Sequence, residues 1–258
     1  MKNKKLLICM VIFAFLVTVV ILTSTIFALQ NVTINFVSTT DKFVGVEQSL
    51  IESGNFKYGS NVLFLNKNNY ISKLEKNNPY LKVVNIETVF PNKLVVNCAQ
   101  RTEVFAIKLQ DNSYIICDED FKVLKKLNSF TNSPDNAILL EGLTNITNTN
   151  EGDFLNFDNN KKIILQTTFH SFKEWDLSCN NLKAKIKKVT MDFERLNQIK
   201  VEMRSGVNIV VKDANEYNSD KFNLAFSTYD SNTNYQNQGT IEIRLVDGDK
   251  IQAFYNPN

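Results

Sequence analysis

One histidine, His170, and four cysteines, Cys9, Cys98, Cys117 and Cys179, are the side chains of this sequence best able to do nucleophilic, redox or metal chemistry. A lone imidazole cannot supply the several-histidine set that many zinc sites use. To act as a general base it needs a nucleophile or a carboxylate aimed at it. Ser171 and Glu174 are nearby in the chain, but both read as neighbours along a helix. His170 and Cys179 stand nine positions apart with no second pair of ligands, a weak pattern for a metal. The cysteines form no C-x-x-C pair and no repeated spacing, so they read as inert, partly buried thiols. Cys9 opens an apolar stretch, whereas a lipid-bearing cysteine follows one. No G-x-S-x-G, S-x-x-K, H-E-x-x-H or phosphate-loop pattern occurs. The expectation is a protein that is no enzyme, with no catalytic residue, no cofactor and no metal.

What positions residues that do no chemistry is a question about surfaces. The chain has 258 residues, 22% of them charged and 43% apolar, with a formal net charge of +2. That is room for one large or two small folded domains. The near-neutral balance argues against a nucleic-acid partner, and nothing points to a small-molecule substrate.

Residues 6–29 carry no charge. As a helix this run is about 36 Å long at ~1.5 Å per residue, enough to cross a hydrocarbon core of ~30 Å. Cleaved signal peptides have a shorter apolar region and a small-residue cleavage site, which Ile26-Phe27-Ala28 fits badly. Lys2, Lys4 and Lys5 precede the run, while Gln30, Asn31 and Asn35 follow it. The lysine bias predicts a cytoplasmic tail at 1–5, a transmembrane helix at 6–29 and the rest of the chain outside the cytoplasmic membrane, a single-pass type II topology.

Beyond the helix, Val32, Ile34 and Phe36 alternate as in a strand. A helix is predicted over 43–52 with Gly54 as its stop, and a second over 70–76 with Asn69 as N-cap. Pro79 ends that helix, and 81–90 and 94–99 form a hairpin. Strand, helix, helix, strand, strand is therefore the order. That order, with Asn78-Pro79-Tyr80-Leu81-Lys82-Val83, the turn Phe90-Pro91-Asn92-Lys93-Leu94 and the closing Arg101, resembles the POTRA domain of the FtsQ/DivIB cell-division family. The glycine common at the end of that family's first strand is absent at Ser38-Thr39-Thr40, and no proline follows Arg101. Arg101 itself reads either as a solvated residue at a strand end or as one that orients the two domains.

The second unit opens on a strand, Tyr114-Ile115-Ile116-Cys117, and an acidic turn, Asp118-Glu119-Asp120, into a further strand. Asparagine-rich 145–150 reads as a solvated connector. Leu165, Phe169, Phe172 and Trp175 recur at helical spacing over 160–177, beside His170. Strand alternation returns at 189–193, at Ile199, Val201 and Met203, and at Val207, Ile209 and Val211, the last two joined by Ser205-Gly206. Phe222, Ala225, Phe226 and Tyr229 mark a helix over 218–229, and Asp247-Gly248 joins two final strands. The Ser-Gly hairpin, the lysine-bearing helix and Gly239-Thr240-Ile241-Glu242-Ile243-Arg244 resemble the end of the FtsQ/DivIB β-domain.

The expected fold class is α+β: one N-terminal transmembrane helix, a β-α-α-β-β POTRA domain at 32–103, and a mixed α/β domain with a mainly antiparallel sheet at 104–256. The resemblance implies a divisome scaffold at the division septum. Its partners would be FtsL and DivIC/FtsB-type proteins and, through them, the septal wall synthases. Alternatives are a POTRA-containing secretion or assembly component and a membrane-anchored cell-wall enzyme. The family's partner-binding edge maps onto Thr240, Ile241, Glu242, Ile243, Arg244, Leu245, Val246, Ile251, Ala253, Phe254 and Tyr255. Alternation turns Ile241, Ile243 and Leu245 to the core and Glu242 and Arg244 outward. It is also expected to leave the backbone edge of the 240–246 strand open to a partner.

Overall fold

The computed structural model describes residues 2–37, 43–194, 196–231, 238–248 and 250–257. The positions expected to lack the family's glycine, 38–40, lie outside the described residues. The chain divides into two compact units, 1–101 and 102–258.

In the first unit, α1 (Lys2–Ile26) is one 25-residue helix. Its side chains are described at 10–18, 20, 21 and 24–26. Among the described residues no helix is long and apolar enough to cross a membrane. β1 (Asn31–Phe36), α2 (Glu47–Gly54), a 3-10 turn (Val62–Phe64), α3 (Lys67–Asn77), β2 (Leu81–Val89) and β3 (Lys93–Gln100) follow. The sheet order is β1-β3-β2, with β1 parallel and β2 antiparallel to β3. Leu50 of α2 and Leu74 of α3 bury against Leu81, Leu94, Val96 and Cys98 of the sheet.

Local capping moves both helices from their expected limits. α2 begins only at Glu47, after Gly45 has taken a left-handed φ of 73°, and it closes on Asn55 at φ 48°. Gly54 is the last helical residue. A Cβ there would strike the Phe56 ring, so this glycine serves packing. α3 is capped three residues before the expected position: Asn66 is the cap, in extended backbone, and accepts a hydrogen bond from Asn69 N at 3.3 Å.

Arg101 is not solvated. It is 5% exposed, its Nη2 lies 3.0 Å from Glu75 Oε2, and its Nε donates to Leu81 O at 3.1 Å. The other Glu75 oxygen accepts from Val83 N at 2.8 Å. The arginine thus ties α3 to one edge strand of this sheet, an ion pair that its position after a strand does not reveal.

The second unit contains β4 (Phe105–Lys108), β5 (Tyr114–Cys117), β6 (Val123–Leu127), β7 (Ile138–Glu141), α4 (Asn159–Trp175), α5 (Cys179–Lys185), β8 (Ile186–Asp192), β9 (Gln198–Met203), β10 (Asn208–Lys212), α6 (Asn218–Ser231), β11 (Thr240–Val246) and β12 (Lys250–Asn256). Nine strands form one sheet in the order β12-β11-β10-β9-β8-β7-β4-β5-β6. Its pairs are antiparallel except β4/β7, β7/β8 and β10/β11. Helices α4 and α5 connect the parallel β7 and β8, and α6 connects β10 and β11, as parallel neighbours require. The apolar stripe of α4, Leu165, Phe169 and Phe172, meets Phe222 and Phe226 of α6 over Val189, Val201, Ile209 and Ile241 of the sheet.

Candidate functional site

β11 and β12 lie at one end of this sheet. Seven consecutive pairs join them without a shift, from Thr240 opposite Asn256 to Val246 opposite Lys250. Ile241 and Ile243 are fully buried and cannot offer side chains to a partner. Leu245 and Val246 are half-buried, as are Ile251, Ala253 and Tyr255 of β12. Glu242, Arg244, Gln252 and Phe254 share the opposite face. There the Arg244 guanidinium lies 4.3 Å from the Phe254 ring centroid and 3.5 Å from Glu242. Gln252, which sequence reading passed over, stands opposite Arg244. Only the register reveals that it belongs to this face.

The open edge is not the one expected. β11 has β10 on one side and β12 on the other, so its backbone groups are committed to neighbours. Asn208 N donates to Gly239 O at 2.9 Å. With Asn208 paired in parallel to Thr240, the odd-numbered residues of β11 point their backbone groups at β10 and the even-numbered ones at β12. Glu242 and Arg244 therefore face Phe254 and Gln252 in hydrogen-bonded pairs. By the same alternation, Ile251 and Ala253 direct N–H and C=O away from β11. No further strand lies beyond β12 among the described residues, so the outer rim of β12 is the edge that can take another chain.

The opposite end of the sheet is treated differently. β6 carries a register shift against β5 at Ile116/Cys117. Val123 N donates to Asp153 O at 2.8 Å, Val123 O accepts from Gly152 N at 2.9 Å, and Lys126 N donates to Glu151 Oε1 at 2.9 Å. The 151–153 segment thus occupies that edge. Irregularity and coverage of this kind keep a sheet edge from pairing with other chains.

Three local devices hold the β11–β12 end. Lys221 of α6 is fully buried, and its Nζ donates to Lys212 O at 2.9 Å and Asp213 O at 2.8 Å. It thereby satisfies carbonyls where β10 ends, and burial pulls its ammonium below the usual lysine value. The Trp175 ring stacks on Phe226 at 4.3 Å, and its indole N–H donates to Asp230 at 2.7 Å, fixing α6 against α4. Gly239 has φ 101°, and a Cβ there would come within 2.8 Å of Asn256 O and the Tyr255 ring. Glycine is needed because the start of β11 touches the end of β12.

Elsewhere, His170 lies on the open side of α4, 71% exposed in its side chain and 3.4 Å from Glu174 one helical turn on. Burial pushes the Cys98 thiol up to about 12 and raises those of Cys117 and Cys179 as well. Each is thus held in its unreactive protonated form. No cluster of three or more potential metal ligands occurs among the described residues. What the C-terminal hairpin offers is a row of backbone donors and acceptors with a mixed charged and aromatic face.

Comparison with known proteins bears on both units. Residues 46–99 match the family model described as a POTRA domain of FtsQ type. A protein of Clostridium acetobutylicum named cell division protein DivIB is 26% identical over 210 residues, 78% of this chain and 78% of that relative. A second, of Clostridium tetani and with the same name, is 26% identical over 182 residues, 70% of this chain and 63% of its own length.

Proposed function

We propose that this chain, which belongs to the FtsQ/DivIB family of cell-division proteins, is a bitopic membrane scaffold of the divisome. It would hold FtsL and DivIC/FtsB-type proteins and link them to septal peptidoglycan synthesis. No reaction is assigned to it; the work is binding. The uncharged run 6–29 and the lysines before it support a helix that crosses the cytoplasmic membrane with residues 1–5 inside. In a chain whose native cysteines are replaced by alanine, Asn148→Cys should react with a membrane-impermeant maleimide on intact cells. Labelling only after permeabilisation would reverse the orientation.

The observation that carries the binding mode is the contrast between the two edges of one sheet. β6 is irregular and covered, whereas β12 runs seven pairs in unbroken register and turns the backbone of Ile251 and Ala253 outward. A partner strand added to β12 would gain main-chain hydrogen bonds worth about 0.5–1.5 kcal/mol net each. Selectivity would come from Phe254, Arg244 and Glu242 beside it. The test is capture of co-expressed FtsL and DivIC/FtsB-type proteins by the full-length chain. Ala253→Pro removes an outward donor and should weaken capture about tenfold or more, while Glu242→Gln, which keeps the backbone, retains it. Equal capture by both variants would move the interface elsewhere, with the POTRA surface at 78–101 next to be tried.

A further inference from the structure

The exposed aromatic rings of the first unit gather in one place. Outside α1, those among the described residues are Tyr58, Phe64 and Phe90, at 54%, 84% and 62% exposure. They sit on two loops, 57–65 and 89–93, with exposed Leu63 between them in sequence. Both loops are fastened to the chain just where it leaves α1. Val62 N donates to Phe27 O at 2.8 Å, Leu29 N to Ser60 O at 2.9 Å, and Gln30 N to Asn92 O at 2.9 Å. The Phe90 ring stands edge-on to Phe27 at 6.0 Å, and Phe90 and Leu63 line one groove with Val62 and Ile86. α1 itself presents exposed Phe13, Phe15, Leu16, Val20 and Ile21, so the apolar surface of the helix continues onto the loops around its exit.

We propose that these two loops form a collar that inserts into the interfacial layer of the bilayer and seats the first unit directly on the membrane. This rests on the reading of α1 as the membrane anchor. Water gains nothing from solvating such rings, whereas the headgroup layer accepts an apolar body beside polar groups. Lys57 and Lys67 flank Phe64 in sequence and can reach anionic headgroups while the rings dip below them. The other large apolar side chains exposed on this unit, Val37, Val44 and Val84, lie on neither loop. A lipid surface is favoured over a protein because both loops are fastened at the helix exit, where the Phe90 ring meets Phe27, and the patch merges there with apolar α1.

The test uses the full chain in phosphatidylcholine/phosphatidylglycerol vesicles, with Trp175→Phe removing the only native tryptophan. Single reporters are Phe15→Trp in α1, Phe64→Trp in the collar and Val37→Trp, which is six residues and about 20 Å along the first strand from Asn31. Bromine on the lipid acyl chains should remove most of the emission of Phe15→Trp and Phe64→Trp, and leave Val37→Trp bright but open to iodide present on both sides. Phe64→Trp as open to iodide as Val37→Trp, with Phe15→Trp still quenched, would overturn the collar and leave the anchor standing. Shielding of Phe64→Trp from iodide without lipid quenching would put a protein surface there and equally overturn it. Loss of quenching at Phe15→Trp would instead remove the anchor reading itself.

Discussion

The edge strands β6 and β12 close the same nine-stranded sheet by opposite means. At β6 a register shift, the Glu151 carboxylate and the backbone of 152–153 take up the rim. The POTRA sheet is similar at β2, where a shift between Val83 and Asn85 coincides with Glu75 accepting from Val83 N. β12 keeps its regular pleat to Asn256. An edge strand invites pairing with any extended chain. β6 and β2 are thus blocked, while β12 is regular, as is β1 at the other edge of the POTRA sheet; the contrast within the nine-stranded sheet is what supports the proposal that β12 takes the partner.

The largest effect should come from breaking the ion pair behind the β2 edge. Arg101→Met leaves the Glu75 carboxylate buried without its guanidinium, and should cost about 3–5 kcal/mol, read as a lower denaturant midpoint. A loss below ~1 kcal/mol would mean that the pair at 3.0 Å contributes little. Next comes Glu242→Pro, placed within the sheet. It removes a ladder donor between β11 and β12 and leaves its acceptor unpaired, and should cost about 1–3 kcal/mol along with partner capture. A Glu242→Pro variant of wild-type stability that still fails to capture would contradict the ladder assignment.

Ala253→Pro makes the opposite prediction. Proline is tolerated where its missing N–H faces away from the neighbouring strand, so the melting temperature should stay close to wild type. Capture should weaken about tenfold or more, the equivalent of ~1.4 kcal/mol. The smallest effect belongs to Glu151→Ala at the far edge. Water can replace the carboxylate at Lys126 N, so stability should fall by about 0.5 kcal/mol with capture unchanged. A capture defect in Glu151→Ala would erase the distinction between the two edges.

Some of this was legible beforehand for identifiable reasons. β11 alternates Ile241, Glu242, Ile243 and Arg244, because one sheet face meets α6 and the other meets solvent; the period of two follows. β7, by contrast, lies between β8 and β4 deep in the sheet, and Ile138-Leu139-Leu140 has no polar alternation to mark it, in a stretch rich in asparagine. β4 and α5 are similarly short, and no periodicity marks them. Asn66 and Asn69 are equivalent as caps on paper, and the difference is made by the extended backbone at Asn66. The burial of Arg101 depends on Glu75, 26 residues earlier, which no local pattern announces.

The sequence by itself determined the element types of the first unit, the uncharged run at 6–29, the resemblance to a cell-division family and the faces of β11. These are local properties, written in residue spacing and charge over a few turns or strands. Tertiary structure alone decided which strand is last. Sequence places Glu242 and Arg244 outward as side chains, but whether their backbone groups are open depends on β12 folding back along β11 in antiparallel register. The parallel pairing of β10 with β11 then fixes which residues of β12 point away. Strand order is a long-range property: it arises from how the α6 crossover packs its apolar stripe over the sheet, and the alternation of a single strand carries no record of its neighbours.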